Sequence, residues 1–299
     1  GEMDPFVLPD LNLEKVEALH RDAKGRFWMA TLRGLLRYEV NTGEWRLFQA
    51  AAGMADSLQH NRLKCLLPDP TDPERFLWIG TGGGGLHRLD MERNTFKVFT
   101  EQEGLANNFV YGILPDNTGR LWMSTNRGLS CFDRKSETFT NYGVEDGLQS
   151  NEFNSRAFFK SEQGALFFGG INGVTAFFPW EVQPNPHVPP VVLTDMQLSY
   201  ESVQHGTEGA PLKYPVTETE AVHLSYDQNN IAFEFSALDF SLPAKNRYRS
   251  MLEGFDDNWI EGESERRAPY TNLPPGDYTF RVQGSNNDGI WNTEGAVIR

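Results

Sequence analysis

The sequence repeats itself. Four segments align: DAKGRFWMATLRGLLRYEVNTGEWRLF from Asp22, RFLWIGTGGGGLHRLDMERNTFKVF from Arg75, DNTGRLWMSTNRGLSCFDRKSETFTNY from Asp116 and SEQGALFFGGINGVTAFFP from Ser161. A key aromatic falls at Trp28, Trp78, Trp122 and Phe167, at spacings of 50, 44 and 45 residues. A glycine follows six or seven positions later each time, at Gly34, Gly85, Gly128 and Gly173. A third element, Leu58 with Asn61, Leu105 with Asn108 and Leu148 with Asn151, precedes the three later units. A period near 45 means copies of one supersecondary unit that bury their apolar faces against one another.

Each unit reads as four short strands. In the third, Val110 to Leu114, Leu121 to Ser124, Leu129 to Asp133 and Thr138 to Tyr142 are apolar or alternating runs separated by polar or Gly turns. The abundance of turn formers, 28 Gly and 17 Pro, agrees with an all-β chain. Four strands per unit predict β-propeller blades. The recurring Trp is the expected wedge between blades, and the recurring Gly the expected source of positive φ in a hairpin. Pro5 to Leu13 reads as a stray strand of a preceding blade.

The repeat stops at Phe178-Pro179, which bounds a propeller domain at 1–182. A Pro-rich linker, 183–190, follows, and then a different pattern over 191–299. Strands are expected at Val191 to Leu198, Ile231 to Ser236 with Leu224 to Tyr226 leading in, Tyr248 to Leu252, Trp259-Ile260 and Tyr278 to Gly284, with a last one starting at Val297. About seven strands of this kind suggest an immunoglobulin- or fibronectin-like β-sandwich. Leu273 to Tyr278, LPPGDY, resembles a tyrosine corner.

These residues carry a family resemblance. The blade pattern, a turn followed by G-x-L-W-[IM]-x-T-x-x-G-L-x-x-[FY]-[DE], resembles the two-component regulator propeller repeat over roughly Val16 to Pro179, with Phe167-Phe168-Gly169-Gly170 departing from it. The stretch RYRSMLEGFDDNWIEG to LPPGDYTFRVQGSNNDGIWN resembles the triple-tyrosine (YYY) domain, with Tyr248, Tyr270 and Tyr278 at its naming positions. Together they imply the extracytoplasmic sensor region of a two-component histidine kinase, above all the hybrid sensors of Bacteroidetes. That family implies a periplasmic fragment sensing an oligosaccharide or other small ligand, a homodimer in the full-length sensor, and a membrane contact only through a helix beyond Arg299. Gly1 and Glu2, without a start methionine, read as a trimmed end.

Chemistry beyond binding finds little support. The net charge of −14 excludes a general phosphate-neutralising surface for nucleic acid, and an anionic membrane surface equally. The six histidines show no metal-ligand spacing and no CxxC exists, so neither a metal nor a cofactor is expected. TGGGGL at Thr81 lacks the Lys-Ser/Thr of a phosphate loop and reads as a hairpin. Asp256-Asp257 reads as a polar turn, and Cys65 and Cys131 as buried free thiols.

The candidate ligand-binding residues are Arg33, Arg127 and Arg156, expected to be non-repeating, with Asn126, Asn172 and Tyr111. Trp45 is a second candidate for stacking on a sugar ring. His60, Asn61, Asn107, Asn108, Ser150 and Asn151 are further polar candidates at the blade entries, of which the recurring Asn61, Asn108 and Asn151 are expected to satisfy turn backbone instead. Two other readings are a protein-interaction scaffold and a carbohydrate-active propeller enzyme with an accessory sandwich domain. The enzyme would draw paired carboxylates from Glu101, Glu103, Glu145, Asp146 and Glu152.

Overall fold

The computed structural model describes residues 15–51, 56–207, 209–262 and 264–299. The strand expected at Pro5 to Leu13 lies outside them. The chain divides into two compact units, Gly1–Val182 and Gln183–Arg299.

The first unit is a row of antiparallel meanders. One is β1 (Val16–Arg21), β2 (Arg26–Thr31), β3 (Gly34–Glu39) and β4 (Trp45–Phe48). The next is β5 (Leu63–Pro68), β6 (Phe76–Thr81), β7 (Leu86–Asp90) and β8 (Thr95–Phe99). The third is β9 (Val110–Pro115), β10 (Leu121–Thr125), β11 (Gly128–Asp133) and β12 (Thr138–Tyr142). The fourth sheet holds β13 (Phe153–Lys160), β14 (Leu166–Gly170) and β15 (Gly173–Phe177). First strands of consecutive sheets run beside one another, so these are β-propeller blades with β1, β5, β9 and β13 innermost.

Each tryptophan seals one blade to the next. Trp28 is fully buried with Leu58, Leu63, Leu77 and Ile79 of the second blade, and Trp78 with Leu105, Val110, Leu121 and Phe132 of the third. Trp122 packs with Phe153, Leu166 and Phe168 of the fourth. A buried indole N–H needs an acceptor. An aspartate of the preceding turn supplies it: Asp22 Oδ2 at 2.9 Å from Trp28 Nε1, Asp69 Oδ2 at 2.7 Å from Trp78 Nε1, and Asp116 Oδ2 at 3.2 Å from Trp122 Nε1. The other carboxylate oxygen caps the turn, accepting from the N–H of Arg26, Thr71 and Arg120 respectively. Burial pushes the Asp69 pKa up, but the hydrogen bonds from Thr71 and Trp78 outweigh it and hold the carboxyl at about 2.

The fourth sheet departs in three linked ways. Ser161 stands in the aspartate's place and Phe167 in the tryptophan's, and a phenyl ring has no N–H to satisfy. Phe167 is therefore not the buried wedge expected. It is half-buried against Phe159, since no further sheet follows it among the described residues of this unit, while its neighbour Phe168 is fully buried toward Trp122. The expected fourth strand is absent from this sheet. After Phe177 the chain turns through Pro179, which has no N–H to donate, and Arg120 donates to its carbonyl at 3.2 Å.

The second unit is a β-sandwich. One sheet runs in the order β17 (Glu201–Ser202), β16 (Val191–Leu198), β18 (Ile231–Ala237), β21 (Arg267–Tyr270). The other runs β20 (Ile260–Gly262), β19 (Tyr248–Glu253), β22 (Thr279–Ser285), β23 (Trp291–Ile298). The inward faces meet at Phe233 and Phe280, whose rings stack at 4.3 Å. Strand expectations hold to within a residue or two for β16, β18, β19, β20 and β22. The last strand starts at Trp291 rather than Val297, because a bulge between Val282 and Gly284 interrupts its pairing and hides its alternation. Leu224 to Tyr226 is not a strand. Residues 183–190 are fastened to this unit: Asn286 Nδ2 donates to the carbonyls of Asn185 and His187 at 2.7 and 2.8 Å.

Candidate ligand-binding face

Two sets of loops meet at one end of the described blades: the hairpins between second and third strands, and the connections into the first strand of the same or the next blade. Gly82, Gly85, Gly128 and Ile171 of the hairpins donate to the carbonyls of Arg62, Asn108, Asn151 and Glu152 of the connections. A threonine latches each of three hairpins. Thr31 Oγ1 donates to the Gly34 carbonyl at 2.7 Å and accepts from Arg33 N–H at 3.0 Å; Thr81 and Thr125 make the same pair of bonds. The recurring glycines have positive φ, but close approach constrains them further. A Cβ on Gly34, Gly85 or Gly128 would run into the carbonyl of Phe48, Phe99 or Tyr142 of the blade's last strand. Gly173, whose sheet has no such strand, meets nothing.

The connecting loops spend their polar groups on themselves. Asn61, Asn108 and Asn151 accept, through Oδ1, from the N–H of Ala50, Glu101 and Val144. His60, Asn107 and Ser150 each cap the N–H two residues on. A third bond ties each connection to its blade: the N–H of Gln59, Ala106 and Gln149 donates to His87 Nε2, Ser130 Oγ and Thr175 Oγ1. Three of the five carboxylates weighed for catalysis are spent likewise. Glu101 accepts from Asn108 N–H, Glu103 from Thr100, and Asp146 from Gly143 N–H. Among the described residues no group of His, Cys, Asp or Glu is arranged to hold a metal ion.

What faces outward at this end is set by β-bulges in the four innermost strands. Each slips against its partner just after its first residue, leaving Glu17 extra in β1, Lys64 in β5 and Tyr111 in β9. In β13 the slip spans Phe153 to Phe158 and contains Arg156, whose φ is 64°. Bulges re-aim side chains, and these four form one connected strip. Arg156 Nη2 lies 2.8 Å from Glu17 Oε2, and Lys15 Nζ 2.9 Å from Glu17 Oε1. Lys64 Nζ sits 5.5 Å from the centre of the Phe109 ring, which tilts against Tyr111 at 4.6 Å. The Tyr111 hydroxyl donates to Asn126 Oδ1 at 2.6 Å. Burial, and Glu152 nearby, push the Tyr111 phenol up, against the Asn126 bond.

Of the sequence candidates, Tyr111 and Asn126 are thus brought into direct contact, and Arg156 joins the same strip through Glu17. Arg33 and Arg127 are not the non-repeating residues expected. They occupy one repeated hairpin position, exposed beside the latch threonines of the first and third blades. Asn172 takes the corresponding place in the fourth, its N–H donating to Gln149 Oε1 at 2.8 Å. Trp45 begins β4, the strand farthest from the strip in its sheet. Sequence reasoning missed Glu17, Lys64 and Phe109. Their signal is faint, a polar or aromatic residue at or just before the second position of a first strand.

Residues 104–127 match the two component regulator propeller model and residues 239–299 the Y_Y_Y domain model. The chain joins two-component regulator propeller blades to a Y_Y_Y domain. It is 30% identical over 296 residues to Histidine kinase P4 of Formosa agariphila, covering 99% of this chain and 21% of that protein. It also matches a crystal structure of the extracellular domain of a hybrid two component system from B. thetaiotaomicron, with 28% identity and a TM-score of 0.80, over 95% of this chain and 37% of that one. The chain thus spans about a fifth of its curated relative. No helix of the described residues is long and apolar enough to cross a membrane.

In the Y_Y_Y domain each of the three tyrosines closes a loop. The buried Tyr248 hydroxyl accepts from Ala237 N–H at 3.1 Å, across the two sheets. Tyr278 donates to the Pro274 carbonyl at 2.8 Å, a tyrosine-corner bond at the start of β22. Tyr270 donates to Asp256 Oδ2 at 3.1 Å, and that oxygen also accepts from Leu252 N–H at 2.7 Å. Burial, reinforced by the Asp256 charge, pushes the Tyr270 phenol well up. Asp256 is therefore a specific anchor of the domain.

Proposed function

We propose that this chain is the extracytoplasmic, periplasmic ligand-sensing region of a membrane-anchored two-component sensor. Its blade face binds an oligosaccharide, and its Y_Y_Y domain passes the signal, within a homodimer, to a cytoplasmic histidine kinase. The observation that carries this reading is the convergence of four bulges. Successive inner strands interrupt their pairing at the same level to aim Glu17, Lys64, Tyr111 and Arg156 at one strip. Bulges re-aim side chains and are over-represented beside functional sites. The tilted Phe109–Tyr111 pair offers aromatic faces to a sugar ring, and Asn126 beside it offers an amide to sugar hydroxyls. Similarity to an extracellular domain of a hybrid two component system supports the sensor part. Signalling then requires two states of the dimer for which the ligand has different affinity.

A thermal-shift screen against plant, host and microbial oligosaccharides tests it. A ligand that binds only the folded chain at a hundredfold excess over Kd adds roughly 2.7 kcal/mol. The expected result is a clear rise in Tm with one glycan class, lost in Tyr111→Ala and in Asn126→Ala. No shift with any glycan, or a shift indifferent to both substitutions, overturns it.

A further inference from the structure

We propose that the strip formed by the bulges reads an acidic saccharide, with Lys64 holding the sugar's carboxylate or sulfate while the Phe109–Tyr111 pair takes the ring. This rests on the saccharide reading above and narrows it to a chemical class.

The chain as a whole carries a charge of −14, yet cations gather at this strip. Lys15, Arg62 and Arg156 all lie close enough to act on Lys64, with Glu17 the carboxylate among its neighbours. Glu17 is already engaged on both oxygens, one by Lys15 and the other by Arg156. Among the described residues no carboxylate pairs with Lys64. Lys64 is half-buried, with its ammonium 5.5 Å from the centre of the Phe109 ring. Burial, together with Arg62, Lys15 and Arg156, depresses the Lys64 pKa against the pull of Glu17. A partly desolvated cation crowded by like charges is relieved by an incoming anion, and the low-dielectric wall of Phe109 strengthens that attraction. Lys64 suits this role because an ammonium is a compact donor able to meet either a carboxylate or a sulfate oxygen.

The sugar part follows from what adjoins the ammonium. Phe109 separates Lys64 from Tyr111, and Tyr111 leads on to Asn126. An anionic group on Lys64 thereby sets the ring it belongs to, or the next one, over the aromatic pair. The asymmetry is marked: cations gather at Lys64, and Glu152 is the charge that acts on Tyr111 at the other end. A chain carrying acidic groups at one end and free hydroxyls at the other matches this gradient.

The test is calorimetric titration of the whole chain with three probes: oligogalacturonate, a sulfated galactan tetrasaccharide and a neutral galactan tetrasaccharide. One anionic probe is expected to bind at least about tenfold tighter than the neutral one, with affinity falling as salt rises. Which anionic probe binds distinguishes carboxylate from sulfate. Lys64→Gln should weaken that probe by about tenfold and leave the neutral sugar unchanged. Arg62→Gln, at an exposed side chain, should weaken it less and serves as a second variant should Lys64→Gln fail to fold. Tyr111→Ala should weaken both kinds of sugar. Equal affinity for the neutral sugar, or Lys64→Gln and Arg62→Gln both without effect, overturns the acidic preference while the saccharide reading stands. Binding of none of the three probes overturns the acidic preference, whereas the saccharide reading falls only with the full oligosaccharide panel.

Discussion

The first three blades and the fourth sheet solve one packing problem with different parts. In the first three, a tryptophan seals the junction to the next blade and an aspartate satisfies its N–H. In the fourth, phenylalanine and serine replace the two together, and Ser161 Oγ keeps only the turn-capping duty, accepting from Ala165 N–H at 3.1 Å. The pair changes as a unit because each member is costly without the other. An indole N–H sealed in an apolar junction, or a carboxylate buried there, must find a partner. The recurrent aspartate is thus a consequence of the recurrent tryptophan.

The largest expected effect breaks the junction itself. Trp78→Ala should cost about 3–5 kcal/mol in chemical denaturation. Phe167→Ala, at the half-buried counterpart, should cost about 1 kcal/mol. Equal losses would show that the fourth sheet seals a junction as the others do.

The next prediction sharpens the role of the aspartate. Asp69→Ala strips partners from Trp78, Thr71 and Arg134, and should cost about 2–3 kcal/mol at pH 7. Ser161→Ala should cost about 1 kcal/mol or less. The sign with pH follows from a folded pKa lowered to about 2. Asp69's contribution is complete above its unfolded pKa near 4 and is lost as pH falls through 2. The gap between wild type and Asp69→Ala should therefore close between pH 4 and pH 2. A constant gap would assign the loss to packing.

The last comparison is of equivalent latches. His87, Ser130 and Thr175 each accept from the connecting loop, and only the histidine titrates. Burial lowers the His87 pKa to about 4. The unfolded chain therefore binds more protons between pH 6.5 and pH 4, and stability falls as pH falls across that window. Its contribution to the slope is at most about 1.4 kcal/mol per pH unit. His87→Thr should flatten that part of the pH–stability curve, read from urea midpoints. An unchanged slope would place the titration elsewhere.

Much of the fold is legible in the sequence for reasons these comparisons expose. Strands with one face sealed alternate cleanly, so the limits of β19 and β22 can be read to within a residue. Tyr248, Tyr270 and Tyr278 stand in a spaced pattern that local sequence preserves. The candidate site was half visible. Tyr111 and Asn126 stood out as an aromatic and an amide near a hairpin, whereas Lys64, Glu17 and Phe109 did not. Arg33 and Arg127 share one column of the aligned units, Thr-x-Arg-Gly, and the structure explains that column as a hairpin latched by Thr31 and Thr125.

The sequence by itself determined the blades, the glycines that let a blade's last strand pass, the tryptophan seals and the sandwich that follows. Each of these is written in periodicity or in a residue with a single conformational use. Only the tertiary structure decided where the strip proposed for binding lies. A bulge is a slip of one strand against its partner, so no single strand records it. Lys64 and Arg156 are 92 residues apart in the chain and become neighbours only when the inner strands are set side by side.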